Sequence, residues 1–235
     1  MARFLLIAGS SDIGRATTAL LEQQGHEVVR TARGTDIIHP DVVLDATDFD
    51  AVDRVFAERG PFDGVAVFAG SLLLKPAHLT SRDAYDEVIA ASLTTAFAAV
   101  RAAGRHMRSG GAVVLLSSAA AMDGYANHEA IAAAKAGVIG LTLSAAATYA
   151  TQNLRVNAIA PGLVETRLTA ALTGSEQARA ASDAMHALPR LGRPEDVGRA
   201  VAFLLDPANE WITGQVLAVD GGLSRVRPRH RVTPR

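Results

Sequence analysis

The feature that most constrains this chain is a repeated alternation along its 235 residues: a short, continuous apolar run, a turn, then an amphipathic stretch. The runs are Arg3–Ala8, His26–Ala32, Val42–Leu44, Gly64–Ala69, Ala112–Leu116, Leu154–Ile159 and Gln215–Val219, and each predicts a strand. They are apolar throughout rather than at every second residue, as strands are when helices cover both faces. Ile13–Gln24, Asp48–Arg59, an Ala-rich stretch reaching Met107 and Glu129–Ala150 carry helical character, and Pro194-Glu195-Asp196 opens a further helix. Asp48 is placed to cap its helix. Thr80-Ser81-Arg82-Asp83 has the form of a capping box, and a proline followed by two acids suits a first helical turn. Strands alternating with helices predict an α/β protein: a doubly wound sheet of seven parallel strands, helices on both faces and right-handed crossovers. Residues 1–223 are expected to form one domain, with 224–235, rich in arginine, as a flexible basic tail. The polar stretch Arg167–Arg190 has no strand and is expected over the strand ends, where such folds bind ligands.

Composition removes several classes of function. The chain is 49% hydrophobic and 20% charged, enough to build a substantial core. Lys and Arg number 23 against 24 Asp and Glu, so no global field favours a nucleic-acid or membrane partner. The absence of cysteine excludes disulfides, thiolate metal sites and cysteine nucleophiles. No histidine pair has ligand spacing, so no metal is expected. The opening Phe4-Leu5-Leu6-Ile7-Ala8 is too short for a signal-peptide core or a membrane span, and a cytoplasmic protein is expected.

The first strand runs into Ala8-Gly9-Ser10-Ser11-Asp12-Ile13-Gly14-Arg15 and then a helix. Such a turn aims main-chain N–H groups and a helix N-terminus at one point, a ready phosphate site, although alone it is equally ordinary packing. It is followed by Leu44-Asp45-Ala46-Thr47, Val67-Phe68-Ala69-Gly70, Leu116-Ser117-Ser118 and Ala132-Ala133-Ala134-Lys135. Beyond these come Asn157-Ala158-Ile159-Ala160-Pro161-Gly162 with Thr166, Gly192-Arg193-Pro194-Glu195-Asp196, Ile212-Thr213-Gly214-Gln215 and Asp220-Gly221-Gly222.

With these segments the chain resembles the short-chain dehydrogenase/reductase family over nearly its whole length. The family's T-G-x-x-x-G-x-G motif, aligned without a gap, puts Ile7 and Ala8 at the Thr-Gly pair, Asp12 at the middle glycine and Gly14 at the last, so the motif is degraded. The resemblance implies a Rossmann-type fold and a nicotinamide dinucleotide. Gly9, Ser10, Ser11, Asp12 and Ile13 would hold it at the turn, with Asp45 beside the adenine and Ala69 and Gly70 at a strand end. Pro161, Gly162, Val164 and Thr166 would meet the nicotinamide, and Lys135 the ribose.

The choice of dinucleotide turns on the end of the second strand. The family's NAD enzymes usually carry Asp at the position of Ala32; here Arg33 follows, and Arg30 lies two places before. A guanidinium there suits a 2′-phosphate, which favours NADP(H). Asp36 lies close enough to keep NAD(H) open.

The catalytic pattern is broken. By resemblance Lys135 and Ser118 occupy the family's Lys and Ser positions, but the proton-donating Tyr, four residues before the Lys, is Ile131, and the Asn position is Ser92. Isoleucine neither gives nor takes a proton. His128 stands seven residues before Lys135, about two helical turns, and mimics the Tyr-x6-Lys spacing of the family's enoyl reductases. Histidine is a competent general acid at neutral pH. Tyr125 is a second candidate, in a loop. An oxidoreductase acting on an activated C=C, C=N or C=O bond of a small molecule is expected, with a silent nucleotide-binding relative as the alternative. Family members commonly form dimers or tetramers, so a homodimer or homotetramer is expected.

Overall fold

The computed structural model describes residues 1–34 and 39–227; Asp36 and positions 228–235 lie outside the described residues. Seven strands form one parallel sheet: β1 (Arg3–Ile7), β2 (Glu27–Ala32), β3 (Val42–Val43), β4 (Gly64–Val67), β5 (Gly111–Leu116), β6 (Leu154–Pro161) and β7 (Val216–Val219). Their order is β3-β2-β1-β4-β5-β6-β7. The helices are α1 (Asp12–Gln23), α2 (Phe49–Arg59), α3 (Arg82–Ile89), α4 (Thr95–His106), α5 (Glu129–Tyr149), α6 (Glu176–Met185) and α7 (Pro194–Leu205). The chain winds outward in both directions from β1 and β4, so the strand order reverses between them. A crevice opens at that point beyond the strands' carboxyl ends.

β1 shows why its run is apolar without alternation. Phe4 and Leu6 face α1 and α7, beside Leu21, Val197, Val201 and Leu205. Leu5 and Ile7 face α2 and α4, beside Val52, Val55, Phe56 and Ala99. Successive side chains point to opposite faces, and both faces are core. α5 is long and apolar enough to cross a membrane by length and composition; here its apolar side chains pack on the sheet, Val138 and Ala145 joining Leu154 and Val156 of β6.

Three expectations are corrected. The cap before α3 is Ser81, whose Oγ accepts from Ala84 N, whereas Thr80 turns back to donate to Pro76 O. The stretch reaching Met107 is not one helix, because a π-helical turn, Ala90–Thr94, separates α3 from α4 and places Ser92 in the interior, 1% exposed. The ordered chain also runs past 223: Ser224 is buried on Asp220, and Arg227 pairs with Asp123 at 2.8 Å.

Candidate active site

The crevice is a cleft of about 1070 Å³ running along the strand ends. Its walls include Ser10, Ser11, Asp12, Ile13, Arg33, Asp45, Ala69, Gly70, Ser118, His128, Lys135, Pro161, Gly162, Val164 and Thr166, so the structure gathers these residues in one place. Gly9 is the exception. It packs below the turn, where a Cβ would meet Leu6 O at 3.0 Å and Arg30 Cβ at 3.2 Å. It serves close approach rather than ligand contact: a Cβ on Gly14 would stand 2.8 Å from Gly9 Cα, so α1 starts directly on the turn.

The degraded motif keeps its shape. Ala8 takes the left-handed conformation, with φ 56°. Ser11 caps α1, its Oγ accepting from Gly14 N at 3.1 Å. Asp12 would set an anion at the N-terminus of α1, yet two cations hold it. Arg167 donates to it from its main-chain N at 2.8 Å and its Nε at 3.0 Å, and Arg15 pairs with it at 2.6 Å. Burial pushes the Asp12 carboxyl up, but the Arg167 and Arg15 hydrogen bonds outweigh it and hold the group below its ordinary value. The trio is net cationic, and Arg167 also donates to Ser10 O at 2.7 Å.

At the other end of the turn, the two arginines separate. Arg30 is engaged by Asp41, through its main-chain N at 2.8 Å and its Nε at 3.2 Å. Arg33 is exposed at the cleft and forms no ion pair among the described residues. The Asp45 carboxylate accepts from Thr47 N and Oγ1, at 2.9 and 2.7 Å; these bonds, with help from Arg33, hold its pKa below the ordinary value.

Lys135 reaches the cleft from α5. Its Nζ donates to Leu116 O at 2.7 Å, and burial lowers its pKa to about 8. Ser117 Oγ donates to Lys135 O at 2.9 Å and fixes this turn of the helix to β5. A Cβ on Gly70 would lie 3.4 Å from Nζ, so the glycine leaves room beside the ammonium. Ser118 Oγ accepts from Ala120 N at 3.1 Å, which orients it and leaves its O–H free to donate. Ile131 is 4% exposed and packs on Val88, Ala130 and Ala134.

His128 precedes α5. Its Nδ1 lies 2.8 Å from Ala126 O, an acceptor, so Nδ1 carries hydrogen and Nε2 is the nitrogen left for exchange. Tyr125 lies beside it, with ring centroids 5.6 Å apart and the planes tilted by 53°, and donates to Leu223 O at 3.4 Å. Burial, then Asp123 and Asp220, raises the Tyr125 pKa. Arg167 and His186 lie in the polar stretch Arg167–Arg190, which is expected over the strand ends, and the structure puts both at the cleft; neither stands in a recognisable motif that would single it out.

Residues 7–224 match the protein-family model described as enoyl-(acyl carrier protein) reductase. Among curated proteins, cis-4-hydroxycyclohexanecarboxylate dehydrogenase of Sinomonas cyclohexanicum is 39% identical, over 95% of this chain and 97% of its own length. Among solved structures, ElxO with NADP bound superposes with TM-score 0.86 at 26% identity, covering 95% of this chain and 99% of that one. A short-chain type dehydrogenase/reductase from Mycobacterium ulcerans gives TM-score 0.86 at 30% identity, over 95% and 90%.

Proposed function

Because this chain belongs to the short-chain dehydrogenase/reductase family, and is on that ground an oxidoreductase, we propose that it uses NADP(H) on an activated C=C, C=N or C=O bond of a small molecule, with His128 as proton donor. The observation that carries the reading is the arrangement around Lys135: a buried ammonium, an oriented serine hydroxyl and a histidine with one nitrogen tied back, all on one cleft.

The residues fit the dinucleotide. The turn brings main-chain N–H groups and a net cationic trio to one end of the cleft, which suits the phosphates, and Arg33 at the cleft would meet the 2′-phosphate. Lys135 Nζ makes one hydrogen bond where an ammonium has three to give, which leaves donors for ribose hydroxyls. ElxO, similar over 95% of this chain, binds NADP. Bound here, NADPH would supply the hydride. Ser118 O–H donates to the oxygen or nitrogen of the substrate, His128 Nε2–H gives the proton, and Ala126 O holds the ring in place for it. For an iminium no proton is needed, and reduction to the neutral amine does not involve His128. Homodimers or homotetramers fit the exposed Phe97 and Leu143, on α4 and α5, which leave apolar surface for a second copy.

The test is a titration with NADPH followed by turnover on a panel of enones, imines and ketones, read by loss of reduced-nicotinamide absorbance. His128→Ala should cut turnover of enones by about 10²-fold with cofactor affinity retained. Unchanged turnover removes His128 from the chemistry. Tight binding with no turnover on any class would favour the second reading, a silent nucleotide-binding relative, for which the buried Ile131 speaks.

A further inference from the structure

The turn between β1 and α1 takes its shape from its main chain, but not its charge. Asp12, the first residue of α1, puts a carboxylate on the cleft at the end that suits the dinucleotide's phosphates. An anion at a phosphate site repels its ligand. Two arginines hold this one. Arg167 grips it through its main-chain N at 2.8 Å and its Nε at 3.0 and 3.2 Å. Arg15 pairs with it at 2.6 Å and lines an adjoining hollow rather than the cleft.

Arg167 lines the cleft itself. Its side chain is 46% exposed against 13% for Asp12, so the acid is the covered partner and the guanidinium the open one. Nη2 donates to Ser10 O at 2.7 Å, which ties the group to the turn. Nη1 has no partner among the described residues, so N–H donors remain for phosphate oxygens. Exposed ion pairs add little to stability. What this one does is fix where a cation stands.

We infer that Arg167 binds the diphosphate of the dinucleotide and that Asp12 is the positioning residue that holds it there. This rests on the dinucleotide reading of the cleft and deepens it, adding a phosphate ligand from a segment 155 residues beyond the turn. A free arginine side chain would spread over many rotamers, and ordering it would weaken binding; with Nε and Nη2 already engaged, the group is ordered beforehand. Charge alone makes the opposite prediction for Asp12. Removing an acid beside a doubly charged diphosphate should tighten binding, whereas removing the residue that positions the arginine should weaken it.

The experiment titrates NADPH, and adenosine 2′-monophosphate as a probe that lacks the diphosphate, into the wild type, Asp12→Ala, Arg167→Ala and the double variant. Denaturation midpoints confirm that each is folded, and Asp12→Asn and Arg167→Gln, closer in shape, replace any alanine variant that is not. Arg167→Ala should weaken NADPH about 10- to 100-fold. Asp12→Ala should weaken it about three- to tenfold. Both should leave adenosine 2′-monophosphate within about twofold. In the Arg167→Ala background the sign should reverse: with no arginine to position, Asp12→Ala removes only repulsion and should tighten NADPH about two- to fivefold. Unchanged NADPH affinity in Arg167→Ala, no loss in Asp12→Ala, a loss from Asp12→Ala in both backgrounds, or equal losses on both ligands overturns the inference and leaves the dinucleotide reading standing. A wild type that does not bind NADPH overturns that reading itself.

Discussion

At the phosphate-turn end of the cleft, the ligand-facing groups are mostly main chain, set by Gly9 against Gly14 and by the Ser11 cap. At the other end, proposed as catalytic, they are side chains, among them Ser118, His128 and Lys135, each held by one hydrogen bond. The two ends have responded differently to substitution. Ala8 and Asp12 stand where the family has glycines, yet the turn keeps its left-handed residue and its capped helix. Ile131, at the other end, is the residue that the resemblance aligns with the family's acid, and on our proposal it leaves that role to another side chain. Geometry made by backbone survives a change of side chain; chemistry made by a side chain does not.

The sharpest test of that contrast is Lys135→Met. Turnover should fall by at least about 10²-fold, because the change removes the ammonium from the catalytic end. Stability should move the other way. The lysine's pKa is about 8 in the fold against an ordinary 10.5. Below pH about 8 it is charged folded and unfolded, and burial is fully unfavourable. Between the two values the unfolded chain holds the proton that the fold has released, so stability rises with pH through that window. The methionine variant should therefore be more stable at neutral pH by about 1–3 kcal/mol and lack the rise. Denaturant melts at pH 7 and at high pH check both; a less stable variant would show that Lys135 supports the fold rather than burdening it.

Arg33→Ala probes the adenosine end by the same logic, since Arg33 lines the cleft and forms no ion pair among the described residues. The loss of charge-assisted hydrogen bonds should reduce the preference for NADPH over NADH about 10- to 100-fold, measured by titrating both cofactors. Equal weakening of both would show that Arg33 does not read the 2′-phosphate.

Ile131→Tyr attempts to restore what the catalytic end lost. A phenol there should raise ketone reduction about tenfold, while crowding Val88, Ala130 and Ala134 should cost about 1–3 kcal/mol of stability. No gain in a folded variant would mean that more than the acid has been lost.

The same division governs what could be read from the chain. The strands were legible because burial on both faces writes itself as a continuous apolar run, and β1, β5 and β6 lie where those runs do. The turn was legible as a strand running into a helix through glycines, and Lys135 and the Pro161-Gly162 segment only through their resemblance to the family's motifs. The π-turn at Ala90–Thr94 was not, since Ala-Ala-Ser-Leu-Thr suits either helix and packing decides between them. Nor was Ser81 over Thr80 as the cap, where two adjacent hydroxyls compete and Thr80 finds Pro76 O instead. The stretch holding Arg167 and His186 was legible as lying over the strand ends, but which of its side chains line the cleft follows from the path of the segment, and no local pattern encodes that path.

The smallest predicted effect tests the claim about backbone most directly. Ala8 has φ 56°, where an L-residue with a Cβ is strained by about 1–2 kcal/mol and glycine is not. Glycine also has the more disordered unfolded chain, which returns about 0.4–1 kcal/mol of that difference. Ala8→Gly should therefore stabilise the protein by about 0.5–1 kcal/mol, a shift readable in the denaturation midpoint at unchanged m-value. Cofactor affinity should hardly move, because Ala8 N donates to Thr31 Oγ1 at 3.2 Å and the turn is formed either way. A destabilised variant, or one with markedly tighter NADPH binding, would mean that the methyl group shapes the turn. The phosphate end would then depend on side chains just as the catalytic end does.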